Sequence, residues 1–354
     1  MRSRILTLTL VCLLSDGAQL CSGAPNTRFV DANSPFFQYL GAWQTNSTGR
    51  FTIYPGSQVC FYLKGKSHLA VRSGLPGTIR AVVRRDGVVA WDGLLGESDI
   101  GVDAGTSSVP FSIVFVMTNK RGFDPSLPDA AGAEFRFQGL TLDDDAALER
   151  TSETRKDMLF DFIGDSITAG VDVLGRSGGW AENSDVTLTY AFQLGERLRV
   201  GYRIRAFPGA GCDDISDTFP FFRKSMPLPV NPQPGIVFVN IAANDRAKET
   251  THYRAQMRNL LDVIFVTYPK TRVVLLNFCR MTPNRLPVLK ELARSFPEGT
   301  VSCFDARPYL VGYSDEGVHP DAESHRRLSD ALADFVTQKL LQEPPEMAKG
   351  AARP

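Results

Sequence analysis

Residues 158–170, MLFDFIGDSITAG, constrain this chain more tightly than any other stretch. An apolar run, Met158, Leu159, Phe160, Phe162 and Ile163, stops abruptly at Gly164-Asp165-Ser166. Small polar residues, Thr168-Ala169-Gly170, follow. Such a run reads as a buried strand that hands a hydroxyl to a tight turn at its carboxyl end. Open α/β sheets place their chemistry at that edge. Ser166 is therefore the candidate nucleophile, and the rest of the chain is expected to supply its partners.

Downstream, the rhythm is that of an α/β unit. Strand-like runs at 158–163, 202–206, 235–241, 271–278 and 300–304 alternate with helical segments near 186–199, 251–267, 283–296 and 321–341. Residues 235–241 and 272–278 are continuous runs rich in β-branched residues, as suits strands covered on both faces of a parallel sheet. The pattern predicts three layers, with helices on both sides of the sheet. Upstream, short runs at 51–54, 59–63, 68–71, 78–83, 88–91, 110–117 and 134–142 are bounded by Gly, Pro, Asp and Ser clusters. That spacing is all-β and antiparallel, a sandwich. Asp86-Gly87 between two of these runs signals a hairpin, because both positions accept a positive φ. The charged stretch 143–157, DDDAALERTSETRKD, reads as a linker or as a surface connection between two packed units. The expected organisation is a β-sandwich over 29–145, an α/β domain over 155–343 and a disordered tail over 344–354.

The amino terminus carries a separate signal. Met1-Arg2-Ser3-Arg4 is basic, residues 5–14 are apolar, and Cys21-Ser22-Gly23-Ala24 offers small residues for cleavage. This is the order of a secretory signal peptide over residues 1–23. The apolar run is shorter than the ~20 residues of a bilayer span, and no later run reaches that length. A secreted protein with no membrane span is expected. Lys+Arg and Asp+Glu balance at 39 each, so no basic field invites nucleic acid. Asn46-Ser47-Thr48 is an N-glycosylation sequon, in keeping with a surface loop of a secreted chain. Cys60, Cys212, Cys279 and Cys303 remain once the signal is removed. Their spacing shows no CxxC or His-paired pattern, so no structural zinc is expected. Disulfides and buried thiols are both open to them.

A hydrolytic serine needs a base, a group that orients the base, and donors for the oxyanion. The chain has four histidines. His68 lies on a strand-like run, His252 opens a helix and His325 sits within the last helix; each reads as packed or solvated. His319 differs. It lies in Ser314-Asp315-Glu316-Gly317-Val318-His319-Pro320, a loop before a helix with two carboxylates just upstream. A carboxylate so placed folds back onto Nδ1 and leaves Nε2 to take the serine proton. Gly175-Arg176-Ser177-Gly178-Gly179 matches GxSxG but lacks the preceding strand that gives the motif meaning, so Ser177 reads as loop. No phosphate loop is present, and the chemistry calls for no metal or organic cofactor.

Gly164-Asp165-Ser166-Ile167-Thr168 resembles the first block of the SGNH, or GDSL, hydrolase superfamily, which is recognised by Ser, Gly, Asn and His in four separated blocks. Gly209 in Phe207-Pro208-Gly209-Ala210-Gly211 matches the second block, Asn244 in Asn240-Ile241-Ala242-Ala243-Asn244-Asp245 the third, and His319-Pro320 the last. The order is the family's, over about 156–341. The resemblance implies a flavodoxin-like three-layer domain and an acyl-enzyme at Ser166 with His319 as base. It also implies an oxyanion hole built from the Ser166 and Gly209 backbone N–H groups and the Asn244 side chain. Two departures stand out. Ala242 replaces a glycine of block three. The acid three residues before the histidine is Glu316, with Asp315 in reserve; a Ser-His dyad held by a backbone carbonyl is the third option.

A sandwich ahead of a GDSIT-type domain is similar to carbohydrate esterase family two, the acetylxylan esterase-like enzymes with a jelly-roll-like sandwich. Tyr39-Leu40-Gly41-Ala42-Trp43, Tyr54-Pro55-Gly56-Ser57 and Trp180-Ala181-Glu182-Asn183-Ser184, leading to Tyr190-Ala191, carry this part of the resemblance. Val318 stands where that family often has tryptophan, which leaves Trp180 as the candidate sugar-stacking residue or else a packed loop anchor. The resemblance implies a secreted serine esterase that removes O-acetyl groups from polysaccharide or oligosaccharide esters. The alternatives are a lipase or thioesterase of the same superfamily, and a carbohydrate-binding protein with an inactive hydrolase domain.

Overall fold

The structure is a computed structural model that describes residues 27–118, 134–150, 155–219, 221–223, 226–227, 232–278, 283–314 and 317–341. The expected signal peptide, the 344–354 tail, Cys279, Asp315 and Glu316 lie outside these residues. Among them, no helix is long and apolar enough to cross a membrane. Cys60, Cys212 and Cys303 are thiols, none bridged to another.

The amino-terminal half is a sandwich of two six-stranded antiparallel sheets. Its inner layer is aromatic: Phe61 stacks on Phe111 and Phe115 on Phe135, both with ring centroids 5.7 Å apart. Strand Phe135–Leu142 shows how the pattern is set. Phe135 and Phe137 point inward, then a bulge at Gly139 shifts the register, and Leu140 and Leu142 point inward instead. One extra residue reverses the parity of every side chain beyond it. Gly139 has φ +143, and a Cβ there would lie 2.1 Å from the Val30 carbonyl oxygen, so only glycine fits. The Asp86-Gly87 hairpin is present, with φ +50 and +77, joining Ile79–Arg85 to Val88–Leu94. The 143–157 stretch is more than a linker. Ala147–Glu149 pairs with Gln58–Lys64 in the sandwich, and Lys156 already begins the next sheet.

The second half is a five-stranded parallel sheet in the order Val200–Ala206, Lys156–Gly164, Ile236–Asn240, Arg272–Asn277, Val301–Asp305. The three-layer expectation holds. Alternate residues on each strand face opposite layers. Ile163, Val237, Val239, Val273 and Leu275 pack against helices Thr250–Thr267 and Leu286–Arg294. Phe160, Phe162, Phe238, Val274 and Leu276 pack against Tyr190–Leu198 and Ala322–Phe335. In this order the chain reverses direction between Lys156–Gly164 and Ile236–Asn240. Such a switch point opens a crevice beyond the carboxyl ends of the strands, and Gly164-Asp165-Ser166 sits at its lip.

The two halves share their cores. Ala42, Phe51, Ile53 and Tyr54 of the sandwich belong to the first helix–sheet layer, and Val82, Val114, Val116 and Met117 to the second. Gln58 Nε2 donates to Tyr202 Oη at 2.8 Å and to Glu196 Oε1 at 2.9 Å across the junction. Beneath it lies a buried ion cluster. Arg205 grips Asp161 at 2.9 and 2.7 Å on the neighbouring strand, and Arg203 lies 3.2 Å from the same carboxylate. Burial alone would push the Asp161 carboxyl up, but the two guanidinium groups outweigh it and hold it below its usual range. Removing one member of such a cluster strands the other charge. Asp161→Ala is therefore expected to lower stability by roughly 3–5 kcal/mol, read as a fall in the urea midpoint at unchanged slope. A loss below 1 kcal/mol would show that the cluster tolerates solvent.

Candidate active site

Each element of the site begins at a strand end. Gly164 closes strand Lys156–Gly164; a Cβ there would lie 2.0 Å from Thr168 Oγ1, so glycine lets the next turn fold back onto the strand. Asp165 caps the one-turn helix Ser166–Ala169, its Oδ1 accepting from the Ile167 N–H at 3.0 Å. Gly170 ends that helix with φ +79, where a side chain would strike the Asp185 carbonyl. Ser166 is 8% exposed, and its Oγ lies 2.9 Å from His319 Nε2. Of the two predicted partners, this pair is brought into direct contact.

His319 rides on a loop pinned by its own backbone. Its carbonyl accepts from the Ser314 N–H at 3.0 Å, Tyr313 and Pro320 form a β-bridge, and Asp321 then caps helix Ala322–Phe335. The predicted acids, Glu316 and Asp315, lie outside the described residues. Among those described, Asp172 stands 3.5 Å from His319 Nδ1 through Oδ2. Asp172 was not among the acids expected from the sequence, which lie beside the histidine. The signal was an acidic residue, Val171-Asp172-Val173, in the turn that leaves the nucleophile helix.

Gly209 and Asn244 follow Val200–Ala206 and Ile236–Asn240, the two strands that flank Lys156–Gly164. Gly209 is exposed with φ +90, in a turn closed by the Ala210 N–H on the Phe207 carbonyl. Phe207 N–H in turn donates to the Gly164 carbonyl at 2.8 Å, tying this loop to the end of the strand that precedes Ser166. Asn244 Nδ2 donates to the Ala210 carbonyl at 2.8 Å, which occupies one of its two amide hydrogens and leaves the second for another acceptor. Asp245 does a different job. Buried, it accepts from the Cys212 N–H at 3.0 and 3.1 Å and seats the glycine loop; a Cβ on Gly211 would lie 2.5 Å from its Oδ1. The Asn-Asp pair thus clamps block two as well as ending block three.

The remaining candidates fall elsewhere. Trp180 is half-buried at the start of the one-turn helix Trp180–Asn183. Ser177 is in an exposed loop, as its lack of a preceding strand suggested. His68 lies on the sandwich surface, 3.9 Å from Asp143. Asn46 is exposed at a strand end, its Oδ1 accepting from Thr48 N–H and Oγ1. Cys212, Asp213 and His252 place possible ligand atoms within 4.8 Å of one another. A cation already answers that charge, because the Lys248 ammonium pairs with Asp213 and lies 3.4 Å from Asp245. Burial first, and the Asp245 charge next, push the Cys212 thiol up to about 12, away from the thiolate a metal needs.

Residues 162–327 match the family model of the GDSL-like lipase/acylhydrolase family. The segment that carries this site is therefore similar to that family. A search of curated protein sequences returns no match. Among solved structures, a family two carbohydrate esterase from Cellvibrio japonicus superposes with a TM-score of 0.75 at 15% identity, covering 89% of this chain and 98% of that one. An acetyl xylan esterase from the rumen bacterium Butyrivibrio proteoclasticus gives 0.74 at 14%, with 88% and 99% covered. A family two carbohydrate esterase from Clostridium thermocellum in complex with cellohexaose gives 0.70 at 19%, with 86% and 99% covered. At these identities the likeness is one of fold, and it spans the sandwich and the α/β domain together.

Behind the GDSL serine lies a buried polar layer. Thr168 Oγ1 lies 2.9 Å from Tyr190 Oη and accepts from Asn240 Nδ2 at 3.0 Å, and His325 Nδ1 accepts from the Tyr190 N–H at 3.3 Å. Burial pushes the Asp165 carboxyl up to about 7 from 3.8 and drives the His325 imidazole down to about 3 from 6.5. Their linkage signs are opposite. Asp165 contributes stability that is fully present below about 3.8 and lost as pH rises through 7. His325 contributes stability present above 6.5 and lost as pH falls toward 3. At about 1.4 kcal/mol per pKa unit, two matched variants separate them. Relative to wild type, His325→Gln should gain roughly 2 kcal/mol between pH 7.5 and 5, and Asp165→Asn should gain roughly as much between pH 5 and 7.5. Urea melts at both pH values test this; parallel profiles for all three proteins would contradict it.

Proposed function

We propose that this chain is a serine esterase that removes O-acetyl groups from carbohydrate esters and acts outside the cell. The observation that carries the reading is the 2.9 Å contact between Ser166 Oγ and His319 Nε2 at the switch point of the sheet. His319 takes the hydroxyl proton as Oγ attacks the acyl carbon. The backbone N–H groups of Ser166 and Gly209 and the second amide hydrogen of Asn244 are the donors for the oxyanion, each worth about 3 kcal/mol to the transition state. His319 returns the proton to the departing sugar oxygen, which leaves as a hydroxyl, and water, deprotonated by His319, then attacks the acetyl-enzyme and releases acetate. The clamp from Asp245 keeps the Gly209 loop in place between turnovers.

Carbohydrate as the alcohol half is supported by the cellohexaose complex and the acetyl xylan esterase among proteins of similar fold. Export is supported by the basic, apolar, small-residue order of residues 1–23. The family description also covers lipases, and acyl length separates the two readings. With p-nitrophenyl acetate and with acetylated xylan and glucomannan as substrates, Ser166→Ala is expected to lose at least about 10³-fold in kcat. Unchanged turnover in that variant would remove Ser166 as nucleophile. Rates that climb from acetyl to long-chain p-nitrophenyl esters, with no acetate released from the glycans, would favour a lipase.

A further inference from the structure

We infer that Asp172, in the turn leaving the nucleophile helix, is a positioning residue that orients His319. The inference rests on the serine esterase reading and adds the third member of its relay. Asp172 Oδ2 lies 3.5 Å from His319 Nδ1, a separation that a small side-chain rotation closes to hydrogen-bond length, as unliganded catalytic contacts commonly require. When Nε2 accepts the Ser166 proton, the ring becomes an imidazolium whose Nδ1–H faces this carboxylate. The carboxylate fixes the tautomer and balances the charge without itself taking the proton. The Oγ–acyl bond forms as the sugar oxygen–acyl bond breaks, and the proton passes on to that oxygen.

Asp172 is held for this task from three sides. Its other oxygen, Oδ1, accepts from Asn183 Nδ2 at 2.6 Å, and its backbone N–H donates to Ser184 Oγ at 3.0 Å. Its carbonyl accepts from the Gly175 N–H at 2.9 Å, and the Leu174 N–H donates to the Asn183 carbonyl at 3.1 Å. The residue has φ +54, a left-handed conformation uncommon outside glycine. Backbone held in such a region persists where the surroundings over-determine it, and it clusters at functional sites. Asp172 is also withdrawn from bulk water, with its side chain 26% exposed and that of His319 14% exposed. A surface acid would need none of these restraints.

Asp172→Asn is the test, because asparagine tolerates the left-handed backbone as readily as aspartate, so the turn is preserved. On p-nitrophenyl acetate, kcat should fall on the order of 10²–10⁴-fold, with KM within about threefold and the thermal midpoint unchanged. In protein isotopically labelled at histidine, the downfield Nδ1–H proton resonance of His319 should move or vanish. Asn183→Ala, which frees the carboxylate without touching the histidine, should lower kcat by a smaller factor and leave KM alone. If Asp172→Asn keeps kcat within about threefold of wild type while Ser166→Ala is inactive, the inference falls and the esterase reading stands. A Glu316→Gln loss of that scale, with the His319 resonance intact in Asp172→Asn, overturns it equally. Activity surviving in Ser166→Ala instead breaks the reading on which the inference rests.

Discussion

The Ser166–His319 hydrogen bond joins residues 153 positions apart, and most of the carboxyl-terminal fold can be understood as the means of closing it. Ser166 follows Lys156–Gly164, one strand in from one edge of the sheet, whereas His319 follows Val301–Asp305 at the opposite edge. The connecting loop must therefore return over the switch point. Buried Ser324 staples that return, its Oγ accepting from the Val311 and Gly312 N–H groups at 3.0 and 2.9 Å and donating to the Gly312 carbonyl. Helix Ala322–Phe335 then packs against Tyr190–Leu198 in the helix layer on one face of the sheet. His319 immediately precedes that helix, so the docking of the helix sets where the imidazole lies. The long-range contact is stabilised by burial of Leu328, Leu332 and Val336 rather than by the hydrogen bond itself.

Under the serine, the chain keeps polar groups where an apolar core would be more stable. Asp165, Thr168, Tyr190, Asn240 and His325 are all essentially inaccessible to water. Two of them, Asp165 and His325, are shifted by burial toward their neutral forms, which is how a low-dielectric interior treats ionisable groups. What such a layer provides is direction. Hydrogen bonds among Thr168, Tyr190 and Asn240 fix the rotation of the one-turn helix, and with it the Ser166 hydroxyl, more sharply than packing of methyl groups would.

Where local pattern and burial agree, the sequence was legible. The apolar run ending at Gly164, the β-branched runs at 236–240 and 272–277 and the Asp86-Gly87 turn each point to one structure. Gly209, Asn244 and His319 stand at or beyond the strand ends that the α/β rhythm predicted. Legibility failed where a distant partner reverses the local meaning. Val200–Ala206, VGYRIRA, alternates arginine with apolar residues and reads as a strand with one solvated face. Arg203 and Arg205 are instead buried, because Asp161 on the next strand supplies the counter-charge. Helix Cys212–Thr218, CDDISDT, has no apolar periodicity to announce it and depends on Asp245 and Asp214 at its amino end. The approach of Asp172 to His319 was illegible for the same reason. Its orientation is written in Asn183 and Ser184, not in its own neighbours.

Those two residues also explain why the sandwich travels with the hydrolase domain. Helix Trp180–Asn183 packs on sandwich strands Ile79–Arg85 and Val109–Thr118. Arg80, 7% exposed, grips Asp92 within the sandwich at 2.6 Å through two nitrogens and donates its third to the Ser184 carbonyl at 2.9 Å. Ser184 accepts from Asp172 through its hydroxyl, and Asp172 faces His319. A continuous chain of contacts therefore runs from a sandwich carboxylate to the imidazole beside Ser166. If the sandwich were only a tethered binding module, its interface would be expected to be wet and adjustable. A buried guanidinium committed to both units, flanked by the shared apolar layer of Val82, Val114, Val116 and Met117, makes it part of the scaffold on which the site is aligned.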